Sequence, residues 1–320
     1  MGTTGGGAGS TSGYRALHES AAWLDLSRRG EIKATGEDRA RLLHAMCTNH
    51  VQQLTPGAGC YAFFLNAQGR ILADAVILCL AGHLLLDTEP ETARKLLAHI
   101  DRYIIADDVT LEDQTAELVA TGVEGPLSAE VLSKAGAPLP ENDFGSAAWG
   151  QRVVAKASVT GAAGYRILAS AAEKDALVAE LEEAGAVAAS PDDARTRRLE
   201  NGKPRYGDDI FDTTIPQETR QMHAVHFSKG CYLGQEIVER VRSQGHVNKL
   251  LSRFRIGGRD APPSGAKILS GDKEAGEITS AAHSPSLGAV CALGYVRAEF
   301  IRPGATFQVN GLPAELLPGG

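Results

Sequence analysis

The sequence predicts an α+β protein with a duplicated mixed module and a small all-β region at its C-terminal end. Three observations support this prediction: strand and helix patterns recur in the same order, the pattern changes near residue 249, and the chain is long. At 320 residues it exceeds what one hydrophobic core usually serves, so two or three domains are expected. The content of 43% hydrophobic and 22% charged residues is typical of a soluble globular protein.

The first set of elements is built around a predicted hairpin. Strands at 60–65 and 70–80 flank Asn66-Ala67-Gln68-Gly69, a favourable turn sequence. Before the hairpin, a strand at 31–35 leads through Gly36 into a helix with Leu42, Leu43 and Met46 on one face. After it, the pattern predicts a strand at 84–87, a helix from Pro90 to about residue 105, and a strand at 109–112.

A second set repeats this order. Strands are predicted at 118–121, 153–159, 165–169 and 186–188, and helices at 127–134 and 173–184. Both sets approximate strand–helix–strand–strand–helix–strand, which indicates an internal duplication of a split βαβ unit.

The remaining chain differs from both sets. A helix is predicted at 191–202, followed by a polar, turn-rich segment at 203–228, and from residue 249 glycines and prolines punctuate short β-prone runs. In chain order, the sequence predicts a flexible tail at 1–13, a first α+β module at 14–115 completed by 191–248, a second ferredoxin-like α+β module at 116–190, and a β-barrel at 249–320.

Charge and composition exclude several function classes. The net charge of −7 argues against a general electrostatic grip on nucleic acid or an anionic membrane. The longest apolar run, 75–86, is too short to span a bilayer, and no secretory signal is seen at the N-terminus. Five cysteines without a C-x-x-C pair indicate neither a disulfide framework nor a zinc ribbon, which suits a reducing cytoplasm.

The stretch Phe227-Ser228-Lys229-Gly230-Cys231-Tyr232-Leu233-Gly234-Gln235-Glu236 is the densest group of reactive side chains. It places an amine, a thiol, a phenol, an amide and a carboxylate around two glycines, which let backbone approach a partner closely. One interpretation is a loop that presents a ligand to a helix start. The alternative is a tight turn whose charges are merely solvated.

Three other groups could bear chemistry. His223, His226 and Cys231 lack the further ligands that a four-coordinate metal site needs. Asp74 lies in a predicted strand among apolar neighbours, so it is either hydrogen-bonded and ligand-paired or a solvated edge residue. Arg198 and Glu200, two residues apart near a helix end, could equally form an exposed pair of little energetic weight.

Cys231 stands beside Lys229, a neighbour that favours a reactive or cluster-ligating thiol. One cysteine cannot hold an iron–sulfur cluster, which needs about four ligands, so a cluster here would require a second chain or small thiols. No nucleotide-binding or hydrolase motif is present.

Several segments together resemble the tetrahydrofolate-binding family that contains the glycine-cleavage T-protein (an aminomethyltransferase) and the YgfZ proteins. The resemblance spans about 21–309. The segments, in order, are Leu24-Asp25-Leu26-Ser27, Gly36-Glu37-Asp38, Thr48-Asn49, Leu65-Asn66-Ala67-Gln68-Gly69, Thr160-Gly161 with Gly164-Tyr165, Arg198-Leu199-Glu200-Asn201-Gly202-Lys203-Pro204, Tyr206-Gly207, Gly276-Glu277-Ile278-Thr279-Ser280 and Ser284-Pro285.

The stretch at 229–236 matches the YgfZ signature K-G-C-Y-x-G-Q-E at every fixed position, whereas T-proteins keep fewer of its residues. Three departures from the T-protein agree with this branch. Arg28 stands in place of a histidine, Ala73 in place of the first residue of an Asp-Asp pair, and Ala162 in place of an acid associated with the pterin.

The resemblance implies three domains in a ring around a folate cavity: two split βαβ modules and a C-terminal β-barrel. It implies tetrahydrofolate or a derivative as cofactor, with Asp74 facing its reactive nitrogens. Cys231 would lie at the cavity mouth and act through its thiol or a transient iron–sulfur cluster. The other residues expected at the folate are Asn66, Tyr165, Arg198, Glu200, Lys229 and Tyr232.

Three functions follow as expectations from this resemblance. The leading one is a cytoplasmic folate-binding protein that supports iron–sulfur cluster assembly or repair, including clusters of radical enzymes that modify tRNA. Its partners would be client enzymes or assembly proteins, with no direct contact to nucleic acid or membrane. The alternatives are a folate-dependent aminomethyltransferase or one-carbon transferase, with Asp74 orienting the amine, and a folate-binding docking module without cluster chemistry.

Overall fold

The computed structural model describes residues 10–245 and 247–318. Within these residues the helices are α1 (Ser12–Glu19), α2 (Arg39–Met46), α3 (Ala93–Asp101), α4 (Ser128–Lys134), α5 (Lys174–Glu183), α6 (Pro191–Glu200) and α7 (Gln235–Gln244). The strands are β1 (Ala22–Asp25), β2 (Gly30–Thr35), β3 (Gly59–Leu65), β4 (Ile71–Leu80), β5 (His83–Thr88), β6 (Thr110–Asp113), β7 (Leu118–Glu124), β8 (Ser146–Trp149), β9 (Arg152–Ala155), β10 (Gly164–Ser170), β11 (Val187–Ala188), β12 (Lys249–Ile256), β13 (Lys267–Ser270), β14 (Lys273–Ser284), β15 (Ala289–Arg297), β16 (Phe307–Val309) and β17 (Leu312–Leu317).

The first sheet has the order β3-β4-β5-β2-β6, with antiparallel neighbours throughout. The predicted hairpin is confirmed: β3 and β4 pair across the turn at 66–69, with Phe63 opposite Asp74. Side chains alternate between the two faces of a strand. One face of β4, bearing Ala73, Ala75 and Ile77, therefore packs under α2 and α3, and Asp74 points to the other face.

The second sheet repeats the first with one strand added. Its order is β8-β9-β10-β7-β1-β11, which matches β3-β4-β5-β2-β6 once β1 is removed from between β7 and β11. The predicted duplication is therefore visible in the topology. Each unit has three strands between its helices. The sequence predicted all three in the first unit but missed β8 in the second.

The two sheets pack face to face, with helices on their outer sides. Val76, Leu78 and Leu85 of the first sheet contact a cluster that contains Ala120 and Leu168 of the second. The helix side of the second sheet has its own core around residues of α4 and α5. Ligand pockets occur preferentially at interfaces of this kind between domains.

The C-terminal region is a closed barrel, β12-β15-β14-β13-β16-β17. Phe254 and Phe307 meet edge-to-face inside it, with ring centroids 5.6 Å apart. Gly276 of β14 lies against β15 so closely that a Cβ atom would fall 1.9 Å from the Tyr295 carbonyl oxygen. The predicted fold class, α+β with two split βαβ modules, a terminal barrel and a three-domain ring, is confirmed.

Several expected boundaries differ from those observed. Within the predicted tail at 1–13, residues 1–9 lie outside the described residues, but helix α1 begins at Ser12, where the Thr11 hydroxyl accepts the Tyr14 N–H. The predicted helix from Pro90 to about 105 forms only as α3 (Ala93–Asp101). The predicted strand at 153–159 ends at Ala155.

The segment between α6 and α7 crosses to the first sheet. Its backbone bonds to that module where His226 N–H reaches the Thr48 carbonyl and Leu233 N–H reaches the Ala45 carbonyl. Tyr206, Val225 and other apolar residues of this segment join a core with Phe63 and Leu65. The proposal that 191–248 completes the module at 14–115, like the other expected domain limits, stays a prediction.

Candidate functional site

A cavity of about 430 Å³ lies where the two sheets, the start of α6 and the segment after α6 meet. A volume of several hundred cubic ångströms is what a drug-sized ligand requires. The wall combines apolar side chains such as Leu24 and Val76 with a set of charged ones. The charged residues of the wall are Asp25, Arg28, Arg29, Asp74, Glu89, Glu91, Arg166, Arg195, Arg198, Lys203, Arg205 and Asp208.

Asp74 lines this cavity from β4. Strand alternation places it on the face that also bears Val76 and Leu78, and only 7% of the residue is exposed. Its Oδ2 accepts a hydrogen bond of 2.6 Å from the Tyr61 hydroxyl. Its Oδ1 is buried and has no partner among the described residues, so one carboxylate oxygen is left for a ligand.

The environment of Asp74 favours its neutral form. Burial, reinforced by the negative charge of Glu89, raises the pKa of Asp74 to about 6, although the Tyr61 hydrogen bond and Arg29 oppose the rise. Burial also raises the pKa of Tyr61 well above its usual range, with the charge of Asp74 adding to the effect. At neutral pH Asp74 is therefore mostly ionised, but it takes up a proton more readily than an ordinary carboxylate does.

A buried ion cluster joins the two sheets beside this carboxyl. Asp87 of β5 pairs with Arg29 and with Arg166 of β10, so the charges bridge the sheet interface. Both oxygens of Glu31 are buried without a hydrogen-bond partner among the described residues. Burial, with the nearby charge of Asp87, raises the pKa of Glu31 well above its usual range.

Glu89 and Arg205 extend this cluster along the cavity wall. Glu89 binds the guanidinium of Arg29 and, at 3.0 Å, that of Arg205. Burial alone would raise the pKa of Glu89, but Arg29 and Arg205 hold it below its ordinary value. Arg205 also binds Glu91 at 2.8 Å, so its positive charge is already compensated.

Three rings form an aromatic part of the wall. Tyr61 lies 5.5 Å from His223 and 6.2 Å from Phe144, centroid to centroid, and the planes are tilted by only 26° and 18°. Phe144 has a φ of 59°, a strained value for a residue with a side chain. Near-parallel rings of this kind offer faces against which a flat heterocycle can stack.

Lys203 enters the cavity from the end of α6. Its ammonium donates to the Ser158 carbonyl oxygen. Burial lowers the pKa of Lys203 to about 8, which the charge of Glu124 partly opposes. Lys203 lies within the segment at 198–204 that carried the family resemblance, but no sequence pattern distinguished it from its neighbours.

Among the residues predicted for the site, Arg198 also lines the cavity. Its guanidinium is already bound to Asp209, to Asp208 at 3.0 Å and to the Lys203 carbonyl at 2.8 Å. It is therefore placed to hold the segment after α6 in position more than to bind a ligand through free donors.

Three other predicted residues do not line the cavity. Asn66 caps the hairpin turn, where its Oδ1 accepts the N–H groups of Gln68 and Arg70, each at 2.9 Å. Tyr165 packs against the core on the helix side of the second sheet. Glu200 faces the barrel and α1, where it accepts hydrogen bonds from Ser284 and Tyr14.

The loop at 227–236 docks on the first module and not in the cavity. The Lys229 ammonium is buried and donates to the carbonyls of His44 and Cys47, and it lies 4.9 Å from the Tyr232 ring centroid. Gly234, with φ +82°, packs so tightly that a Cβ would fall 2.6 Å from the Asn66 carbonyl oxygen. The motif at 229–236 thus contacts the hairpin turn at 66–69.

Cys231 is exposed, whereas the other four cysteines are buried. It is not among the residues that line the cavity, so the expected placement at the cavity mouth is not found. The physical reason is that its neighbours Lys229 and Tyr232 turn inward toward α2 and β3, which directs the intervening thiol to solvent. No group of three or more metal-ligating side chains occurs in the described part of the chain.

None of the helices in the described ranges is long and apolar enough to cross a bilayer. Two family models match the sequence. The one described as "GCVT N-terminal domain" matches residues 7–229, and the "Glycine cleavage T-protein C-terminal barrel domain" matches residues 249–316.

Known proteins agree with these matches. An aminomethyltransferase of Rubrobacter xylanophilus is 30% identical over 303 residues, which cover 90% of this chain and 80% of that protein. An aminomethyltransferase of Thermosynechococcus vestitus is 27% identical, covering 95% and 86%. The crystal structure of glycine cleavage system aminomethyltransferase T from Bartonella henselae has the same fold, with a TM-score of 0.87 at 21% identity over 97% of this chain and 88% of that one. The chain therefore belongs to the glycine-cleavage T-protein family.

Proposed function

We propose that this chain binds a reduced folate in the cavity between its two sheets. The observation that carries the proposal is the buried Oδ1 of Asp74, a carboxylate oxygen without a protein partner on the wall of that cavity. A buried carboxylate needs hydrogen-bond donors, and the ring N–H groups of a reduced pterin supply them. The near-parallel rings of Tyr61, Phe144 and His223 suit a flat heterocycle.

The glutamate tail of a folate also has a complementary group in the wall. Arg28 lines the cavity and is exposed. No ion-pair partner for it occurs in the described ranges. A guanidinium can bind a carboxylate through two parallel hydrogen bonds. The residues present therefore fit the cofactor that the family uses at both its flat ring and its anionic end.

Bound folate would supply the ring nitrogens that carry a one-carbon unit. The chain's own contribution centres on Asp74, which orients an amine by accepting its N–H and can hold a proton because its pKa is about 6. Tyr61 fixes the carboxyl rotamer by its hydrogen bond to Oδ2. The apolar sheet interface behind Val76 keeps bulk water from that side of the carboxyl.

The first candidate reaction is aminomethyl transfer to the folate. The curated relatives support it, since they are named aminomethyltransferases and match over most of this chain. The test is a titration with tetrahydrofolate followed through the fluorescence of Trp23 and Trp149, and then a glycine-cleavage assay with purified partner proteins. We expect saturable binding that Asp74→Asn weakens. Binding without any folate-dependent cleavage would remove this reaction and leave the folate site.

The second candidate is support of iron–sulfur cluster assembly or repair. It is favoured by Cys231, whose thiol is exposed in a loop held by buried Lys229 and plays no part in the cavity. In cells that lack the native protein, we expect Cys231→Ala to fail to restore cluster-dependent enzymes while the purified variant still binds folate. Cys231→Ser keeps a side chain of similar size, so it shows whether the sulfur atom itself is required. If Cys231→Ala fully restored the cluster-dependent enzymes, the thiol would not be required for this function.

A further inference from the structure

Lys203 lines the cavity with an ammonium group whose hydrogen bonding is incomplete. Its ammonium has one acceptor in the described part of the chain, the Ser158 carbonyl oxygen. An ammonium carries three N–H donors, so two are left over. No carboxylate within the described ranges lies at ion-pair distance from it, although the side chain lines the cavity.

The nearest negative charge of the second module is already in use. Glu124 accepts hydrogen bonds from the Ser158 hydroxyl at 2.7 Å, the Val159 N–H at 2.7 Å and the Thr160 N–H at 3.0 Å. Its carboxylate thereby holds the loop in which the Ser158 carbonyl oxygen accepts the hydrogen bond from Lys203. Glu124 stabilises the ammonium from a distance but leaves its remaining donors free for the cavity.

Resting on the folate site proposed above, we propose that Lys203 binds the ring carbonyl oxygen of the ligand and makes the cavity selective for 2-amino-4-oxo pteridines over their 2,4-diamino analogues. Asp74 accepts from the N–H edge of the ring, and Lys203 donates to its oxygen. A 4-amino group in place of the oxygen presents a donor to a donor. A buried site built for a hydrogen bond rejects an analogue that cannot make it.

The charge of this lysine gives the contact a pH dependence. Burial lowers the pKa of Lys203 to about 8, Glu124 and Asp74 raise it, and Arg166 and Arg29 lower it. Burial lowers the pKa of His223 in the same wall, and the charge of Lys203 lowers it further. Hydrogen bonds from a charged donor are stronger than neutral ones. Affinity for the 4-oxo ring therefore falls as pH rises from 7 to 9.

The experiment measures dissociation constants under anaerobic conditions for the wild-type chain, Lys203→Met and Lys203→Arg. The ligands are tetrahydrofolate, a tail-free tetrahydropterin and the reduced 2,4-diamino analogue of folate, each at pH 7 and pH 9. We expect Lys203→Met to lose about tenfold or more in affinity for both 4-oxo ligands and to lose the discrimination against the diamino analogue. Lys203→Arg should retain binding that does not change between pH 7 and 9.

Each other outcome has a defined meaning. Unchanged affinity of Lys203→Met for both 4-oxo ligands overturns the inference, and so does a loss confined to tetrahydrofolate, which would place the lysine at the glutamate tail. If Lys203→Met fails to fold, Lys203→Leu replaces it, with the unfolding midpoint as the check. A wild-type chain that binds neither 4-oxo ligand refutes the folate site itself, which is a different result from folate binding that is indifferent to Lys203.

Discussion

Replacing Asp74 by asparagine should make the ligand-free protein more stable and the folate site weaker. Burial raises the pKa of this carboxyl from 3.8 to about 6, and such a rise corresponds to ~3 kcal/mol of destabilisation at neutral pH. The asparagine amide keeps the Tyr61 hydrogen bond but leaves a buried N–H unpaired, at a cost of about 1–2 kcal/mol. The net expectation is a gain of ~1–2 kcal/mol in the free energy of unfolding.

The pH dependence identifies the cause of this gain. Between about pH 4 and 6 the folded carboxyl holds more protons than the unfolded one, so its contribution to stability falls as pH rises and then stays constant above 6. Asp74→Asn lacks this slope. Its advantage in unfolding midpoint, measured by thermal and urea unfolding, should be larger at pH 7.5 than at pH 4.5. The exposed Asp101→Asn is the matched control, with an expected change within ~0.5 kcal/mol.

Folate binding supplies the second half of this test. Losing a charged hydrogen bond should weaken tetrahydrofolate binding by roughly 10- to 100-fold. The reasoning that the buried carboxylate destabilises the fold would be refuted by a variant that is less stable than wild type at pH 7.5. It would also be refuted by a variant whose gain in unfolding midpoint is equal at both pH values. A variant that binds tetrahydrofolate as well as wild type would separate Asp74 from the ligand.

Three further substitutions test the architecture around the site by denaturant unfolding. Asp87→Asn leaves two buried arginines without their shared carboxylate, and we expect a loss of ~3–5 kcal/mol; a change below ~1 kcal/mol would contradict this. Gly234→Ala should destabilise the chain more than Gly230→Ala, because both have positive φ but only the first Cβ collides with neighbouring atoms; equal effects would show that the collision is relieved. Lys229→Met leaves two buried carbonyls without a hydrogen-bond donor and should lower the free energy of unfolding by ~2–4 kcal/mol. Wild-type stability of this variant would show that these two hydrogen bonds do not stabilise the fold.

The sequence predicted those parts of the fold that local chemistry determines. The hairpin at 60–80 followed from a turn sequence between two apolar runs, and the barrel followed from the spacing of its glycines. The strands β1 and β8 were missed because each has four residues and a weak alternation. Helix α1 was missed because its polar residues follow a glycine-rich start, while its buried Tyr14 and Leu17 gain stability only from distant partners.

The candidate site was only partly predictable for the same reason. Asp74 stood out because a carboxyl among apolar strand residues needs a partner. Tyr61, Phe144 and Lys203 could not be recognised, since they reach the cavity only when three separate segments meet there. Tyr232 and Lys229 were expected at the ligand because they belong to the motif at 229–236. Their tertiary contacts are instead with the first module.

The position of β1 has a consequence for how the chain is made. This strand is translated before β7 and β11, between which it lies, so it cannot pair until both have left the ribosome. A fragment starting after residue 115 would lack β1. The edges of β7 and β11 that pair with β1 would then be exposed, and strands of other chains could pair with them. The second sheet can therefore close only after β11 (Val187–Ala188) has been translated.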